Sequence, residues 1–221
     1  RRLQEQAATS HSDSGTTCEL LIAFNDEDIE ESIPLKVVKG SLNMETWPGE
    51  ISFERATGWH YYELKNYAAD RAKGDIIIFL DSDVVPEDGW LGSLLSRFED
   101  ETVKFVAGNT YMSTEDFIGK CFAVFWTFRP RQPLPDKHVR PSFYANNIAF
   151  RRQFFLENKF PVEHCYRGQC GALAKQLRNK GLQILHDGRA WVSHPAPNGF
   201  SHFVTRAIAK GHDNVFWSRR K

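Results

Sequence analysis

The stretch that decides the fold spans residues 61–98 and reads YYELKNYAADRAKGDIIIFLDSDVVPEDGWLGSLLSRF. Within Tyr61–Lys73, apolar residues recur every four positions from Leu64 to Ala72 and charged residues fill the other side, which predicts an amphipathic helix. Gly74 stands where a helix C-cap glycine belongs. Ile76–Leu80 is continuously apolar, as is typical of a strand covered on both faces. A helix, a glycine and a buried strand form half of a βαβ unit, so this stretch predicts an α/β sheet.

Two carboxylates follow the buried strand, at Asp81 and Asp83. Ligands of open α/β sheets bind at the carboxyl ends of the strands. Strand alternation would place both carboxylates on one side, with Ser82 pointing away. The pair could then hold one hard divalent cation that shares its ligands with substrate phosphates. The alternative is that one aspartate caps the next helix and the other is solvated.

Further elements are predicted on both sides of this stretch. Residues 9–15 are rich in Ser and Asp and predict a surface loop. Three short strands are predicted before it, at Cys18–Phe24, Leu35–Val38 and Ile51–Phe53. Later elements are strands at Val103–Gly108, Phe143–Phe150 and Leu182–Leu185, helices at Trp90–Phe98, Arg152–Glu157, Gly171–Lys180 and Phe200–Lys210, and a Pro-rich loop at 129–141.

Composition excludes several classes of protein. Lys plus Arg and Asp plus Glu both number 28, so the net charge is zero and a nucleic-acid-binding role is not expected. Hydrophobic residues make up 41% and charged residues 25%, which indicates a globular chain. The four cysteines show no CxxC spacing, so free thiols in a reducing compartment are expected. The longest apolar run is too short to cross a bilayer, so we expect a cytoplasmic protein.

The motifs, taken in order, resemble family 2 glycosyltransferases of the GT-A fold. That family shows an Asn-x-(Gly/Ala)-Ala helix, an Ala-x-Gly-Asp turn, an apolar strand, Asp-x-Asp, Pro and Gly-Trp. Ala145–Arg152 (ANNIAFRR) resembles its acceptor-side segment GANMAFRR, and Gly181 followed by Val192-Ser193-His194 resembles its closing strand and histidine. The resemblance covers about residues 18–212. The matching residues of the first half are Asn66, Ala69, Ala72, Gly74, Asp75, Asp81, Asp83, Pro86 and Trp90.

The resemblance implies a fold and an activity. The fold would be one α/β domain over residues 1–221, a mostly parallel central sheet flanked by helices, with the nucleotide-sugar side at about 18–128 and the acceptor side at about 129–221. The activity would move a sugar from a nucleotide-diphospho-sugar to an acceptor hydroxyl with inversion, using Mn²⁺ or Mg²⁺. The acceptor would be a glycan, a lipid-linked molecule or a small molecule.

Site residues follow from the same resemblance. Asp81 would lie near the ribose, and Asp83 would ligate the cation that bridges the diphosphate. His194 would be a further ligand, or else an ordinary histidine beside Pro195. Expected donor contacts are Asp26, Asn66, Asp81, Ser82 and Asp83, and expected metal ligands are Asp83, Asp81 and His194. Expected acceptor contacts are Asn146, Asn147 and Arg151, although the two asparagines could instead cap the helix that Arg152 opens.

One departure from the family lies at the catalytic base. Family members carry Glu-Asp where this chain has Gln169 and Cys170. A glutamine cannot take a proton from a hydroxyl, and Cys170 could do so only if its pKa were lowered. Glu163 and His164 lie nearby and could act as the catalytic base instead. The alternative function is therefore a catalytically impaired GT-A-like domain that binds a nucleotide or a glycan.

The other departure lies at the front of the chain. CELLIAF matches the family's second strand, whose end supplies an acidic contact to the nucleobase, and Asp26 or Asp28 could serve. The first strand would then lie upstream, in a longer native protein. Basic residues of the tail, Arg206, Lys210 and Arg219–Lys221, predict either a solvated face or an approach to anionic lipid-linked acceptors at the inner face of the membrane.

Overall fold

A computed structural model describes residues 2–25, 32–114, 117, 120, 123, 128, 131–163, 165, 167–196 and 199–219. Among these residues, no helix is long and apolar enough to span a membrane. One-turn 3₁₀ helices lie at Met44–Thr46 and Arg97–Glu99. In chain order the elements are α1 (Arg2–Ser14), β1 (Leu20–Asn25), α2 (Ser32–Ser41), β2 (Ile51–Ala56), α3 (Tyr61–Arg71), β3 (Ile76–Leu80), β4 (Val85–Pro86), α4 (Trp90–Ser96), β5 (Phe105–Ser113), β6 (Lys137–Val139), β7 (Asn147–Arg151), α5 (Arg152–Glu157), α6 (Gln169–Asn179), β8 (Leu185–Pro195) and α7 (Gly199–Ser218).

The central sheet is mixed, and the expectation of a mostly parallel sheet is corrected here. Its strand order is β3-β7-β5-β8-β4, and β6 also pairs with β8. In this sheet β5 and β8 run parallel, while the other described pairs are antiparallel. The register pairs Leu80 at the end of β3 with Asn147 at the start of β7. β7 begins at the end of the sheet where β3 finishes, so these two neighbouring strands run antiparallel.

A separate two-stranded sheet precedes the central one. Strands β1 and β2 run parallel, with Leu20 opposite Ile51. Among the described residues, β1 pairs with β2 alone and β3 pairs with β7 alone, so each has one edge without a strand. The opening strand expected upstream of β1 stays a prediction.

Several local predictions differ from the structure. The predicted loop at residues 9–15 belongs to α1 as far as Ser14, because α1 is held by tertiary contacts: Ala7 is fully buried, and the Gln6 side chain accepts a hydrogen bond from the Leu91 amide. The predicted strand Leu35–Val38 lies inside α2, since a short apolar run alone does not separate helix from strand. Helix α3 ends at an Ala72 C-cap rather than at Gly74.

The core lies on both faces of the sheet. Neighbouring residues of β7 alternate between the faces, with Ile148 and Phe150 on one side and Ala149 on the other. The first face is aromatic, and the second packs against α1 and α4. Buried members of the first cluster include Phe79, Phe105, Phe155, Phe160 and Leu173, and those of the second include Trp90, Leu94, Val106, Ala190 and Val192. This packing brings the end of β3, the start of β7 and the end of β8 to one side of the sheet, where Asp81, Asp83, Asn147 and His194 lie.

Candidate active site

Asp81 follows β3 directly and is held by helix α3. The Tyr61 hydroxyl lies 2.8 and 2.7 Å from the two carboxylate oxygens, and the Lys65 ammonium donates to Oδ1 at 2.7 Å. Tyr61 and Lys65 are four residues apart, so both reach from one face of the helix. The Lys65 and Asp81 side chains are 11% and 19% exposed. The Arg167 guanidinium covers the Tyr61 ring, 3.9 Å from its centroid.

The hydrogen-bond donors and cations around Asp81 determine its ionisation state. Burial alone would raise the pKa of Asp81, but Lys65, Tyr61 and Arg167 outweigh burial, so the pKa lies below its ordinary value. Burial, together with the Asp81 charge, raises the pKa of Tyr61 well above its ordinary value, so this side chain remains a hydroxyl donor. Asp81 is therefore an ionised carboxylate that is already paired with a cation of the protein. This pairing favours a role in binding the donor over a role as a metal ligand, and the place of Asp81 among the metal ligands stays a prediction.

Asp83 faces a different partner. Its carboxylate Oδ2 lies 3.4 Å from Nε2 of His194, near the end of β8. The Asp83 side chain is 53% exposed, whereas the His194 side chain is 16% exposed and stacks against Phe128 at 4.9 Å. Residues 81–83 leave the strand in a turn, so strand alternation stops at Leu80, and the two aspartates contact different partners, Lys65 and His194. Ser82 is exposed in this turn, and its contact with the donor stays a prediction.

The Asp83–His194 pair fits a divalent cation. Nδ1 of His194 lies 2.7 Å from the Pro195 carbonyl oxygen. A carbonyl only accepts, so Nδ1 donates to it and Nε2 is the ring nitrogen that faces the carboxylate. An imidazole nitrogen and a carboxylate oxygen are both ligands of divalent cations, and the Nδ1 hydrogen bond orients the ring for that role. The described residues contain no group of three or more His, Cys, Asp or Glu side chains that could hold a metal, so substrate oxygens and water would complete the ligand set.

Gln169 and Cys170 begin helix α6, at the position of the expected base. Gln169 is 3% exposed; its Nε2 donates to the Cys165 carbonyl oxygen at 3.2 Å, while its Oε1 has no hydrogen-bond partner among the described residues. Burial raises the pKa of the Cys170 thiol. The lowered pKa that a base role would require is thus contradicted, because the buried thiol stays protonated. His164 lies outside the described residues.

A small cavity lies between helix α6 and Tyr61, the residue that binds Asp81. It has a volume of about 20 Å³ and lies between the beginnings of α3 and α6. Its walls include Tyr61, Glu163 and Gln169. The substitute base Glu163 is therefore placed beside the tyrosine that holds Asp81.

Helix α7 fixes the turn that leads into α6. The buried Asp213 carboxylate accepts a hydrogen bond from the Arg167 amide at 2.7 Å, and the Trp217 indole donates to the Arg167 carbonyl at 2.9 Å. Gly168 has φ +113°, and a Cβ there would lie 2.1 Å from Trp217 Nε1. The tail is thus part of the framework of the site. Tyr61, Lys65 and Trp217 were missed by sequence reasoning. The signals that could have found them are the four-residue spacing of the first two and the glycine at 168.

The expected acceptor residues Asn147 and Arg151 are occupied inside the protein. Asn147 is fully buried; its Oδ1 accepts from the Trp90 indole at 2.8 Å and its Nδ2 donates to the Asn109 carbonyl at 2.9 Å. The Arg151 guanidinium donates to the carbonyls that follow α4, at Phe98, Asp100 and Val103. Both residues stabilise the fold, and their assignment to acceptor binding is corrected.

Asn146 is also buried, at 4% exposure, and its Oδ1 accepts from the Thr110 hydroxyl at 3.0 Å. Neither asparagine caps α5, because the N-cap residue of that helix is Arg151. The alternative capping role is therefore wrong as well. A role for Asn146 in acceptor binding stays a prediction.

The Asn66 side chain binds the protein backbone and is not placed to contact the nucleotide-sugar donor. Its Nδ2 donates to the Phe160 carbonyl at 2.9 Å, and its Oδ1 accepts from the Phe160 amide at 3.1 Å. Both ends of the amide are used, and the residue is 8% exposed. Asn66 therefore ties α3 to the segment after α5, which corrects its assignment. The expected nucleobase contact Asp26 lies outside the described residues.

Comparison with known proteins identifies the family. A profile described as Glycosyl transferase family 2 matches residues 47–158, which is 112 of the 221 residues. Two curated proteins named Pre-mycofactocin glycosyltransferase, from Mycobacterium tuberculosis strains CDC 1551 / Oshkosh and ATCC 25618 / H37Rv, are 48% identical over 54 residues. That segment is 22% of this chain and 12% of each relative, so the match spans a small part of their length.

Solved structures agree on the fold. The mannosyltransferase PcManGT from Pyrobaculum calidifontis, in complex with GDP-Man and Mn²⁺, superposes with a TM-score of 0.58 at 15% identity, over 94% of this chain and 56% of its own. GalNAc-T7 with UDP, GalNAc and Mn²⁺ gives a TM-score of 0.56 at 16% identity, over 81% of this chain and 37% of its own. At these identities the similarity concerns the fold alone. Because the profile spans half of the sequence and the architecture agrees, the chain belongs to glycosyl transferase family 2 and has the GT-A fold.

Proposed function

We propose that the chain transfers a sugar from a nucleotide-diphospho-sugar to an acceptor hydroxyl, with inversion, with the help of a divalent cation held by Asp83 and His194. The observation that carries the proposal is the pairing of these two side chains at 3.4 Å, at the sheet edge where Asp81 is fixed. Two structures of the same fold were solved with nucleotides and Mn²⁺, which supports this class of ligand. The donor would lie on about residues 18–128 and the acceptor on about 129–221, in one domain.

The residues at this edge would have separate roles. Mn²⁺ or Mg²⁺ would neutralise the negative charge that develops on the departing nucleoside diphosphate. Asp83 and His194 would hold the cation. Asp81 would accept a hydrogen bond from the ribose, since an ionised carboxylate has lone pairs left after binding Tyr61 and Lys65.

Glu163 is our candidate for the base that inversion requires. Gln169 cannot accept a proton, and the pKa of Cys170 is raised by burial. Glu163 lines the cavity between α3 and α6, beside Tyr61. We expect Glu163→Gln to lower the rate of sugar transfer by about 100-fold or more while donor binding persists. An unchanged rate would remove Glu163 from this role.

The test of the function is nucleotide release from donor sugars. With Mn²⁺ and UDP-glucose or GDP-mannose as probes, the wild-type chain should release the nucleotide, and Asp83→Asn should lower the rate by about 100-fold because a ligand is lost. Asp88→Asn is the matched control, since Asp88 is an exposed aspartate in the turn that follows β4. Equal rates in the wild type and in Asp83→Asn would contradict the proposal.

A second candidate function is a GT-A-like domain that binds a nucleotide or glycan without turnover. The observation that favours it is the lack of a carboxylate at Gln169 and Cys170, together with the raised pKa of Cys170. Tight Mn²⁺-dependent binding of UDP-glucose or GDP-mannose, with no nucleotide released in the presence of acceptors, would establish this second function and exclude the first.

The surface of helix α7 bears on the class of acceptor and on where in the cell the protein acts. Phe200 and Ile208 are 75% and 69% exposed, and basic side chains lie on the same helix. We include in the proposal a peripheral contact of this helix with the inner face of the membrane, where a cytoplasmic enzyme would meet lipid-linked acceptors. Flotation with vesicles that contain phosphatidylglycerol should carry the protein, and vesicles of phosphatidylcholine alone should not. Flotation with neither would exclude this contact.

A further inference from the structure

We propose that Arg131 is a positioning residue of the cation site, because its guanidinium fastens the strand that follows Asp83 to the strand that carries His194. The inference rests on the proposed function and adds a residue that acts through the two cation ligands. Arg131 lies in the Pro-rich segment 129–141, which supplies neither of these ligands.

The pairing of β4 with β8 brings the two ligands together. The strands are antiparallel, and Val85 lies opposite Ser193. Asp83 is two residues before Val85 and His194 directly follows Ser193, so this register carries the two side chains to their distance of 3.4 Å. A shift of β4 along β8 would separate them.

The pairing is short, and it is extended by contacts of Glu87. Strand β4 has two residues, and one of them is Pro86, which has no amide hydrogen to donate. The Glu87 amide donates to the Trp191 carbonyl of β8 at 2.9 Å, and Nε2 of Gln6 donates to the Glu87 carbonyl at 3.0 Å. Glu87 is therefore the point at which the end of β4 is held against β8.

Arg131 binds both strands at this point. Its Nε and Nη2 donate to the two carboxylate oxygens of Glu87 at 3.0 and 2.9 Å, and its guanidinium lies 4.5 Å from the centroid of the Trp191 ring. A bidentate pair fixes the orientation of the guanidinium as well as its distance. Trp191 is buried in β8, three residues before His194. One guanidinium thus joins the strand after Asp83 to the strand of His194.

The segment that carries Arg131 is itself fixed to β8. The Asp136 carbonyl accepts hydrogen bonds from the Gly188 amide and from Nη2 of Arg97, both at 2.9 Å. A side chain at position 188 would collide with the Pro135 carbonyl, so Gly188 permits this close approach. Strand β6 follows at once and pairs with β8. Arg131 therefore acts from a supported segment.

The same segment also covers the His194 ring. Phe128 stacks on that ring at 4.9 Å and contacts the Tyr144 ring at 4.9 Å. Phe128 is three residues before Arg131, so the chain between them spans at most about 11 Å. Holding Arg131 at Glu87 therefore limits how far Phe128 can move from His194.

A matched control for Arg131 exists elsewhere in the chain. The Arg131 and Glu87 side chains are 44% and 27% exposed, and an ion pair at such exposure contributes little to global stability. Arg71 binds Glu54 at 3.0 Å with exposures of 41% and 27%, and it lies 3.5 Å from the Tyr67 ring centroid. This second pair joins α3 to β2 and contacts neither β4 nor β8 through these side chains.

The first test is calorimetric titration of the preformed Mn²⁺ complexes of UDP and GDP into the full chain. Arg131→Gln should weaken binding about tenfold, as expected when support for a metal ligand is lost. Arg71→Gln should leave the affinity within about twofold of wild type. Glu87→Gln should weaken binding as much as Arg131→Gln, and the double variant no further, since the two residues act through one contact. The melting temperatures should stay within about 4 °C of wild type.

The second test needs no metal. The Glu87 amide reports on the contact between the end of β4 and β8, because it donates to Trp191. Its hydrogen exchange, followed by NMR, should be about tenfold faster in Arg131→Gln and unchanged in Arg71→Gln.

Three outcomes would overturn the inference. They are unchanged binding of both complexes in Arg131→Gln, an effect of Glu87→Gln that Arg131→Gln does not share, and unchanged exchange of the Glu87 amide in Arg131→Gln. Failure of the proposed function looks different: the wild type would bind neither complex, and the role of Arg131 at a cation site would fall with it.

Discussion

At the scale of single residues, Lys65 decides the state of Asp81. Lys65→Met leaves a mostly buried carboxylate without its ammonium, and we expect a loss of about 2 kcal/mol in the free energy of unfolding at pH 7. The pKa of Asp81 is lowered in the folded state, so its stabilisation is present above the unfolded value near 3.8 and disappears as the pH falls through the folded pKa. The difference between variant and wild type in urea unfolding should therefore shrink below pH 3.8.

The exposed pair Lys159–Asp70 provides the control for this prediction. Its side chains are 36% and 46% exposed, so Lys159→Met should change the free energy of unfolding by less than about 0.5 kcal/mol. A Lys65→Met variant as stable as wild type at pH 7 would mean that Tyr61 alone holds Asp81.

His186 gives a second prediction at this scale. It is 1% exposed, Nε2 lies 2.9 Å from the Ser142 carbonyl, and burial lowers its pKa to about 4. Since the unfolded chain binds this proton near pH 6.5, the protein should lose up to about 3 kcal/mol of stability as the pH falls from 6.5 to 4. His186→Gln should flatten that part of the pH profile in urea unfolding, and His11→Gln, at an exposed histidine, should not. A profile that stays unchanged in His186→Gln would refute the assignment.

Residue types alone do not separate site residues from buried polar residues. Asp83 and His194 were selected from motifs, and the structure brings them together. Asn66 and Asn147 come from equally good motif matches, but their amides bind backbone groups or a buried indole. A motif shows only that a position needs a certain residue type. The need can come from ligand binding or from the stability of the fold, and the burial of the side chain distinguishes the two.

At the scale of elements, Gly168 and helix α7 set the position of α6. Gly168→Ala combines a positive φ with a clash against Trp217, whereas Gly181→Ala has a positive φ of +83° and open space around the new Cβ. We expect Gly181→Ala to cost about 1 kcal/mol and Gly168→Ala at least about 2 kcal/mol more, measured by chemical unfolding. Equal costs for the two substitutions would show that Trp217 does not pack against the turn.

The bounds of the strongly patterned elements were predicted from sequence better than the direction and pairing of the strands. The spacing of apolar and polar residues in the sequence predicts the four-residue period of α3 and the bounds of α5. The structure confirms both helices within a few residues. The direction of a strand has no such local signal, because it depends on the end of the sheet at which the chain starts the strand. The antiparallel entry of β7 and the addition of β6 to the edge of β8 were therefore not predicted.

At the scale of the whole molecule, the site is completed by segments far apart in sequence. The family profile ends at residue 158, but the partner of Asp83 is His194 and the turn before α6 is held by α7. The sequence resemblance identified the fold because ordered motifs recur along the chain. It did not identify the role of α7, since the contacts of Asp213 and Trp217 with Arg167 depend on tertiary packing alone.

The central claim is that Asp83 and His194 hold a divalent cation that binds the donor diphosphate. Calorimetric titration of UDP and GDP into the full chain, with Mn²⁺ and with EDTA, tests this claim most directly. We predict binding of at least one nucleotide with Mn²⁺, loss of that binding with EDTA, and a reduction of about 10- to 100-fold in affinity in Asp83→Asn and His194→Gln but not in Asp88→Asn. Nucleotide binding of equal strength with EDTA, or in Asp83→Asn, would contradict the account.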